Sequence, residues 1–230
     1  MRLTQNRTFV IVPAFNEAEI IRQTVLGLLE AGYEVVVVDD CSTDGTGDKI
    51  ADLSIRYIRH SVNLGQGAAL MTGMTFARKL DADYVVHFDA DGQHRVEDIP
   101  DMLSPLLDDI ADITLGSRFL KAGQAGAVPI FRRVLLRVAV WVNALFTGLW
   151  LTDAHNGLRA MNRSALEKIR LRENGMAHAT EILSEIRHHS LRYREVSMQV
   201  KYTDYSRQKG QSALDALGIL TDLIIRKIFL

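Results

Sequence analysis

Cysteine is almost absent: Cys41 stands alone among 230 residues. No internal disulfide can form, and a cysteine-rich zinc site is excluded. This usage fits a reducing compartment. Charge of one sign is also lacking. Lys and Arg total 27 against 28 Asp and Glu, for a net charge of −1. A nucleic-acid binder usually shows a strong basic excess, so that class is not expected. No apolar run is long enough to span a bilayer. Residues 138–152 carry no formal charge but number only 15, short of the ~20 a spanning helix needs. The opening residues, 1–7, are polar and lead straight into a strand, so no signal peptide is expected. There is no low-complexity segment and no internal repeat. The glycines match neither the Walker nor the dinucleotide pattern.

What remains is a chain with 47% apolar residues, ample for a packed core. Residues 9–13 read as a first buried strand ended by Pro13, which cannot donate to a sheet ladder. Asn16 is expected to cap a helix whose apolar stripe is Ile20, Ile21, Val25, Leu28 and Leu29. Gly32 stops it. Residues 34–40 form a second buried strand with an acidic end. A short helix over 46–53 and a strand over 55–58 follow. Helix 67–80, strand 84–88, helix 96–108 and strand 113–115 continue the alternation. Strands alternating with helices of this length imply an α/β, doubly wound, mostly parallel sheet with helices on both faces. Beyond Gly116 the pattern changes. Residues 130–151 are long and apolar, 180–189 form an amphipathic helix, 193–202 alternate like a strand, and 212–229 form an apolar helix. This half reads as an acceptor side and lid without an independent core.

The most informative stretch is Tyr84-Val85-Val86-His87-Phe88-Asp89-Ala90-Asp91-Gly92-Gln93-His94. A buried parallel strand ends in two carboxylates spaced i, i+2. The end of such a strand is where open α/β sheets place ligands. In extended backbone Asp89 and Asp91 point to the same side. Two carboxylates in one small volume repel unless a cation lies between them. Oxygen ligands without cysteine suit Mg²⁺ or Mn²⁺, and Mg²⁺ commonly bridges carboxylates to phosphates. Gln93 adds a further oxygen. The competing reading is a polar turn rich in Asp and Gly.

Other polar features fall at strand ends. Pro13-Ala14-Phe15-Asn16-Glu17 and Asp39-Asp40 lie on the same sheet edge as Asp89. Carboxylates after the second strand suit a ribose hydroxyl or a base edge, or else a capping turn. An acidic pair there also occurs in response regulators, but at roughly half this length and without a later D-x-D. Asn63-Leu64-Gly65-Gln66-Gly67-Ala68-Ala69 precedes a helix, where backbone amides attract anions. Small residues for helix packing explain it equally well. Gly116-Ser117-Arg118, Arg132-Arg133, Arg137 and the loop 205–212 supply cations suited to phosphates.

Seven pieces in one order carry a family resemblance: VPAFNEAE (12–19), VVVVDDCSTDGT (35–46), NLGQGAAL (63–70), HFDADGQH (87–94), GSRF (116–119), DAHNGLRAMNR (153–163) and YSRQKGQS (205–212). The chain resembles glycosyltransferase family 2, within it the dolichol-phosphate mannosyltransferase-like group. The resemblance implies a GT-A fold over 1–230, with a nucleotide-sugar half to about 118 and an acceptor half after it. It implies a nucleotide-diphosphate sugar donor, a divalent metal and inversion at the anomeric carbon. By position, the nucleotide site falls on Pro13, Ala14, Asn16, Glu17, Asp39, Asp40, Asp44, Gly65, Gln66 and Gly67, with Asp89 and Ala90. The metal falls to Asp89, Asp91 and Gln93. Arg118, Arg132, Arg133 and Arg207 take the acceptor phosphate, and Lys209 joins Arg207 in a phosphate-closing loop. His94 stands behind these ligands.

The expected reaction is transfer of a sugar from a GDP- or UDP-sugar to a polyprenyl phosphate. Asp91, Asp153, Arg118 and Lys209 are the expected catalytic set. Asp153 would serve as base toward a sugar hydroxyl. Toward an ionised polyprenyl phosphate no base is required, and Asp153 would position Arg159 or the donor. An ion pair with Arg159 is its structural reading. Transfer to a saccharide hydroxyl, and a non-catalytic nucleotide-sugar-binding subunit, are the alternatives. Trp141, Phe146 and Trp150 suit a membrane interface with Arg132, Arg133 and Arg137 near headgroups; a buried core helix explains the same residues. The expectation is a peripheral protein at the cytoplasmic membrane face, with a homo-oligomer or membrane partner subunit open.

Overall fold

The computed structural model describes residues 7–120, 148–153 and 156–200. The expected helices over 130–151 and 212–229 fall wholly or largely outside these. So do Arg132, Arg133, Arg137, Trp141, Phe146, Arg207 and Lys209. Residues 148–151 are described and are not helical.

The first strand, β1 (Thr8–Ala14), is buried along its whole length. It pairs in parallel with β2 (Glu34–Asp39) on one side and β4 (Tyr84–His87) on the other. The outer partner of β2 is β3 (Arg56–Arg59). Beyond β4 the sheet continues through β6 (Arg159–Asn162), β5 (Ile113–Ser117) and β7 (Tyr193–Ser197), giving the order β3-β2-β1-β4-β6-β5-β7. Here β6 runs antiparallel to both neighbours, while β7 is parallel to β5.

Alternate residues of these strands enter two cores, which is why the strands read as unbroken apolar runs. Phe9, Ile11, Val36, Val38, Val85 and Met161 face α2 (Gln66–Lys79), α4 (Arg163–Lys168) and α5 (His178–His188). Val10, Val12, Val35, Val37, Val86 and Ala160 face α1 (Ile21–Glu30) and α3 (Ile99–Leu107). Leu149, Leu151, Ile182 and Ile186, from late in the chain, lie in the same cluster as Phe9 and Ile11. Close approach of α2 to β1 depends on Gly73, where a Cβ would overlap Ile11.

Four local expectations change. Residues 46–53 hold only the 3₁₀ turn Asp48–Ile50 rather than a helix. Asn16 does not cap α1. It sits at φ +54, its Oδ1 accepts from Thr43 N, and its own N–H donates to Ser42 Oγ. The helix begins at Ile21 with no side-chain cap. The sequence reading assigned no strand to β6 and no helix to α4. The expected strand over 193–202 ends as β7 at Ser197.

Candidate active site

The parallel strands β1, β2, β4 and β5 end on one edge, and antiparallel β6 begins there. A cleft of about 540 Å³ opens at this edge, lined among others by Pro13, Ala14, Glu17, Gly65, Gln66 and Arg118. Asp89, Ala90, Asp91 and Gln93 line it too. Most of the residues picked from sequence on the strand ends therefore meet in one volume.

Asp89 is held by its neighbours. Gln66 Nε2 donates to its Oδ1 at 3.0 Å, and His94 Nε2 lies 2.9 Å from its Oδ2. An ionised carboxylate only accepts, so the His94 nitrogen is the donor. Gly157 lies against the same carboxylate, and a Cβ there would overlap it. Burial pushes Asp89 up, but the His94 hydrogen bond and the charges of His94 and Arg159 outweigh it and leave the group below the usual carboxylate range. Asp91 differs. Burial first, then the negative charges of Asp89 and Glu17, push it up to about 6. Its Oδ1 accepts the Gln93 amide at 2.9 Å. The Asp89 charge thus raises the cost of ionising Asp91, an arrangement that suits a cation.

The donors fit a hard divalent ion: Asp89 and Asp91 carboxylates with the Gln93 side chain on the cleft wall. Among the described residues no group of three or more His, Cys, Asp or Glu side chains could hold a metal. The described side chains thus form a partial shell, which suits Mg²⁺ or Mn²⁺ completed by phosphate oxygens and water.

Other sequence-chosen residues make internal hydrogen bonds. Asp40 borders the cleft, but its oxygens accept from Leu64 N at 2.8 Å and Gly65 N at 2.6 Å and contact His60 Nδ1 at 2.7 Å. It fixes the loop ahead of α2. Asp44 accepts from Thr46 N and Ala18 N, each at 3.0 Å. Asp39 accepts from Ser42 N and from the Tyr57 hydroxyl. It lines a second concavity of about 760 Å³ with Ser42, Thr46, Tyr57 and Arg59. Asn16, Asp44 and Gly67 line neither space. Two amides in the first turn of α2 are already taken. Gly67 N donates to Asn174 O at 2.7 Å and Ala68 N at 3.3 Å. A Cβ at Gly67 would overlap Glu173 O. The small residues thus admit the 173–175 backbone.

Asp153 is paired, but with Arg118 rather than Arg159. Arg118 Nε donates to Oδ2 at 2.6 Å and Nη2 to Oδ1 at 2.8 Å, while the Arg118 N–H reaches Oδ2 at 3.2 Å. The Asp153 side chain is 1% exposed and that of Arg118 is 14% exposed. Sequence reasoning missed Gly157, Asn156 and Met176 on the cleft wall, and it named Arg159 only as a partner of Asp153, not as part of a buried polar group with His87 and His178. The signal for Gly157 and Arg159 lay in the D-x-x-x-G-x-R segment, whose glycine and arginine are two residues apart and so share a face in extended backbone.

The glycosyl transferase family 2 model matches residues 9–170. This chain belongs to glycosyltransferase family 2. It is 30% identical over 240 residues to the UDP-N-acetylglucosamine–dolichyl-phosphate N-acetylglucosaminyltransferase of Methanococcus voltae, covering 96% of each. It is 35% identical over 182 residues to the polyprenol monophosphomannose synthase of Mycolicibacterium smegmatis, covering 74% of this chain and 67% of that one. Among solved structures, glucosyl-3-phosphoglycerate synthase of Mycobacterium tuberculosis, in complex with Mn²⁺, UDP and glucosyl-3-phosphoglycerate, superposes with a TM-score of 0.68 at 20% identity. That match covers 94% of this chain and 76% of that one. The fold of this family 2 enzyme is GT-A, and its class is glycosyltransferase. Among the described residues no helix is long and apolar enough to cross a membrane.

Proposed function

We propose that this family 2 enzyme moves a sugar from a GDP- or UDP-sugar to a polyprenyl phosphate, with inversion, using Mg²⁺ or Mn²⁺ at Asp89, Asp91 and Gln93. The observation that carries the choice of acceptor is the Arg118–Asp153 pair. Both Asp153 oxygens accept from one guanidinium. A carboxylate spent in that way is badly placed to remove a proton from a sugar hydroxyl. A phosphate acceptor is already ionised near neutral pH and needs no base. Asp153 then orients Arg118, and Arg118 faces the cleft as a fixed cation for an anionic acceptor.

Bound at this edge, the divalent ion supplies Lewis-acid stabilisation of the departing diphosphate. The chain does the positioning. Gln66 and His94 fix Asp89, while the Gln93 amide fixes one Asp91 oxygen. Pro13, Ala14 and Glu17 bound the cleft beside them. Catalysis is then mainly orientation and preorganised charge. The names of the relatives, one for N-acetylglucosamine and one for mannose transfer, support the acceptor class and leave both sugars as donors to test. Work at the cytoplasmic face of a membrane, where polyprenyl phosphates would be presented, follows from this reading.

The test is a screen of GDP- and UDP-sugars with polyprenyl phosphate and Mn²⁺, read as a lipid-linked sugar. Transfer only to neutral saccharide hydroxyls would refute the acceptor assignment.

A further inference from the structure

A buried cation lies behind Asp89, and the transfer chemistry described above makes no use of it. Arg159 is 2% exposed, and its Nη1 has no hydrogen-bond partner. The strand register fixes where it points. Arg159 stands opposite His87 in the antiparallel β4–β6 pair, so both side chains leave the same face of the sheet. Their strand neighbours Val85 and Met161 put that face in the core beneath α2 and α5. Asp89 follows His87 by two residues, and Gly157, two before Arg159, lies against the Asp89 carboxylate. Guanidinium and carboxylate therefore lie near each other at the starts of α2 and α5, the first buried and the second on the cleft wall. His178 completes the group from the first turn of α5, its Cβ against Gly67.

Arg159 is lowered by burial only to about 10, so it stays charged. A buried guanidinium costs several kcal/mol to desolvate unless an anion faces it, and the carboxylates whose charge acts on it are Asp89 and Asp153. Arg159 thus offsets part of the negative charge that Asp89 presents. A divalent ion arriving alone meets a partly neutralised site and a resident positive charge.

We infer that Arg159 is a positioning residue: an internal counter-ion to Asp89 that keeps the empty carboxylate pair assembled and makes divalent-metal binding conditional on the nucleotide diphosphate. The diphosphate brings the negative charge that Arg159 has cancelled. This rests on the reading of Asp89 and Asp91 as metal ligands, and the experiment separates the two.

Mn²⁺ binding to the full chain is measured by calorimetry, alone and with GDP or UDP, after subtraction of the Mn²⁺–nucleotide association measured without protein. Wild type is expected to bind Mn²⁺ alone at least about tenfold more weakly than with nucleotide. Arg159→Met and Arg159→Gln should bind Mn²⁺ alone at least about tenfold more tightly than wild type. Arg159→Lys, which keeps the charge, should stay with wild type. Equal affinity of wild type with and without nucleotide overturns the inference, whether or not the neutral variants fold. Unchanged Mn²⁺ affinity in a folded neutral variant overturns it as well. No Mn²⁺ binding even with nucleotide overturns the metal reading itself.

Discussion

Asp91 is the side chain whose state changes most with conditions. Its folded-state value, about 6, lies above the ordinary 3.8. The folded protein therefore holds this proton more tightly than the unfolded chain does. That stability is fully present below about pH 4 and is lost as pH rises through about 6. The loss is at most about 3 kcal/mol for one group shifted by about two units. The stability gap between wild type and Asp91→Asn, measured by urea unfolding without metal, should therefore shift against wild type from pH 4 to 7 and flatten above. A gap independent of pH would contradict the Asp89–Asp91 coupling. Gly157 gives a second residue-scale prediction. Alanine there forces the Asp89 carboxylate aside, so transfer should fall by about a hundredfold or more, with the circular dichroism spectrum unchanged. That Asp89, Asp91 and Gln93 line one cleft was legible in sequence from their place just beyond the buried strand β4, although they lie in a loop and turn rather than in extended strand. The fork between Arg118 and Asp153 was not, since it joins residues 35 positions apart and spacing says nothing about such pairs.

Among the elements, α2 shows most clearly how a sequence signal can have another cause. Its glycine-rich start looks like a phosphate cradle, yet the Gly67 and Ala68 amides are spent on Asn174 O. Gly67→Ala should therefore act on folding, costing about 1–3 kcal/mol through overlap with the Glu173 carbonyl. Thermal unfolding measures this. A variant of wild-type stability with a raised KM for the donor would restore the phosphate reading. The apolar strands β1, β2 and β4 were legible because both faces are covered. The strand β6 was not, because it is antiparallel and begins with a buried arginine. Hydrophobic pattern gives no credit to Arg159, whose charge is offset by Asp89 just beyond β4. The helix expected over 46–53 shrank to a 3₁₀ turn. Thr46 Oγ1 there donates to Asp44 and accepts the Glu17 amide, so local side-chain bonds compete with a helical ladder.

At the scale of the whole molecule, one sheet edge gathers the proposed metal ligands, the cleft and Arg118, while His87 and Arg159 sit just inside it. Antiparallel β6 makes this possible: by starting at the edge where β4 and β5 end, it brings Gly157 up against Asp89 and sets Arg159 two residues further in. The central claim is that a divalent cation held by Asp89 and Asp91 drives sugar transfer to an anionic lipid acceptor. The most direct measurement is formation of lipid-linked sugar from a nucleotide sugar and polyprenyl phosphate, with Mn²⁺, with EDTA, and with Asp91→Ala. Product should form with Mn²⁺, vanish with EDTA, and fall on the order of a thousandfold in the variant. Undiminished product in EDTA, or from a folded Asp91→Ala protein, would contradict the claim.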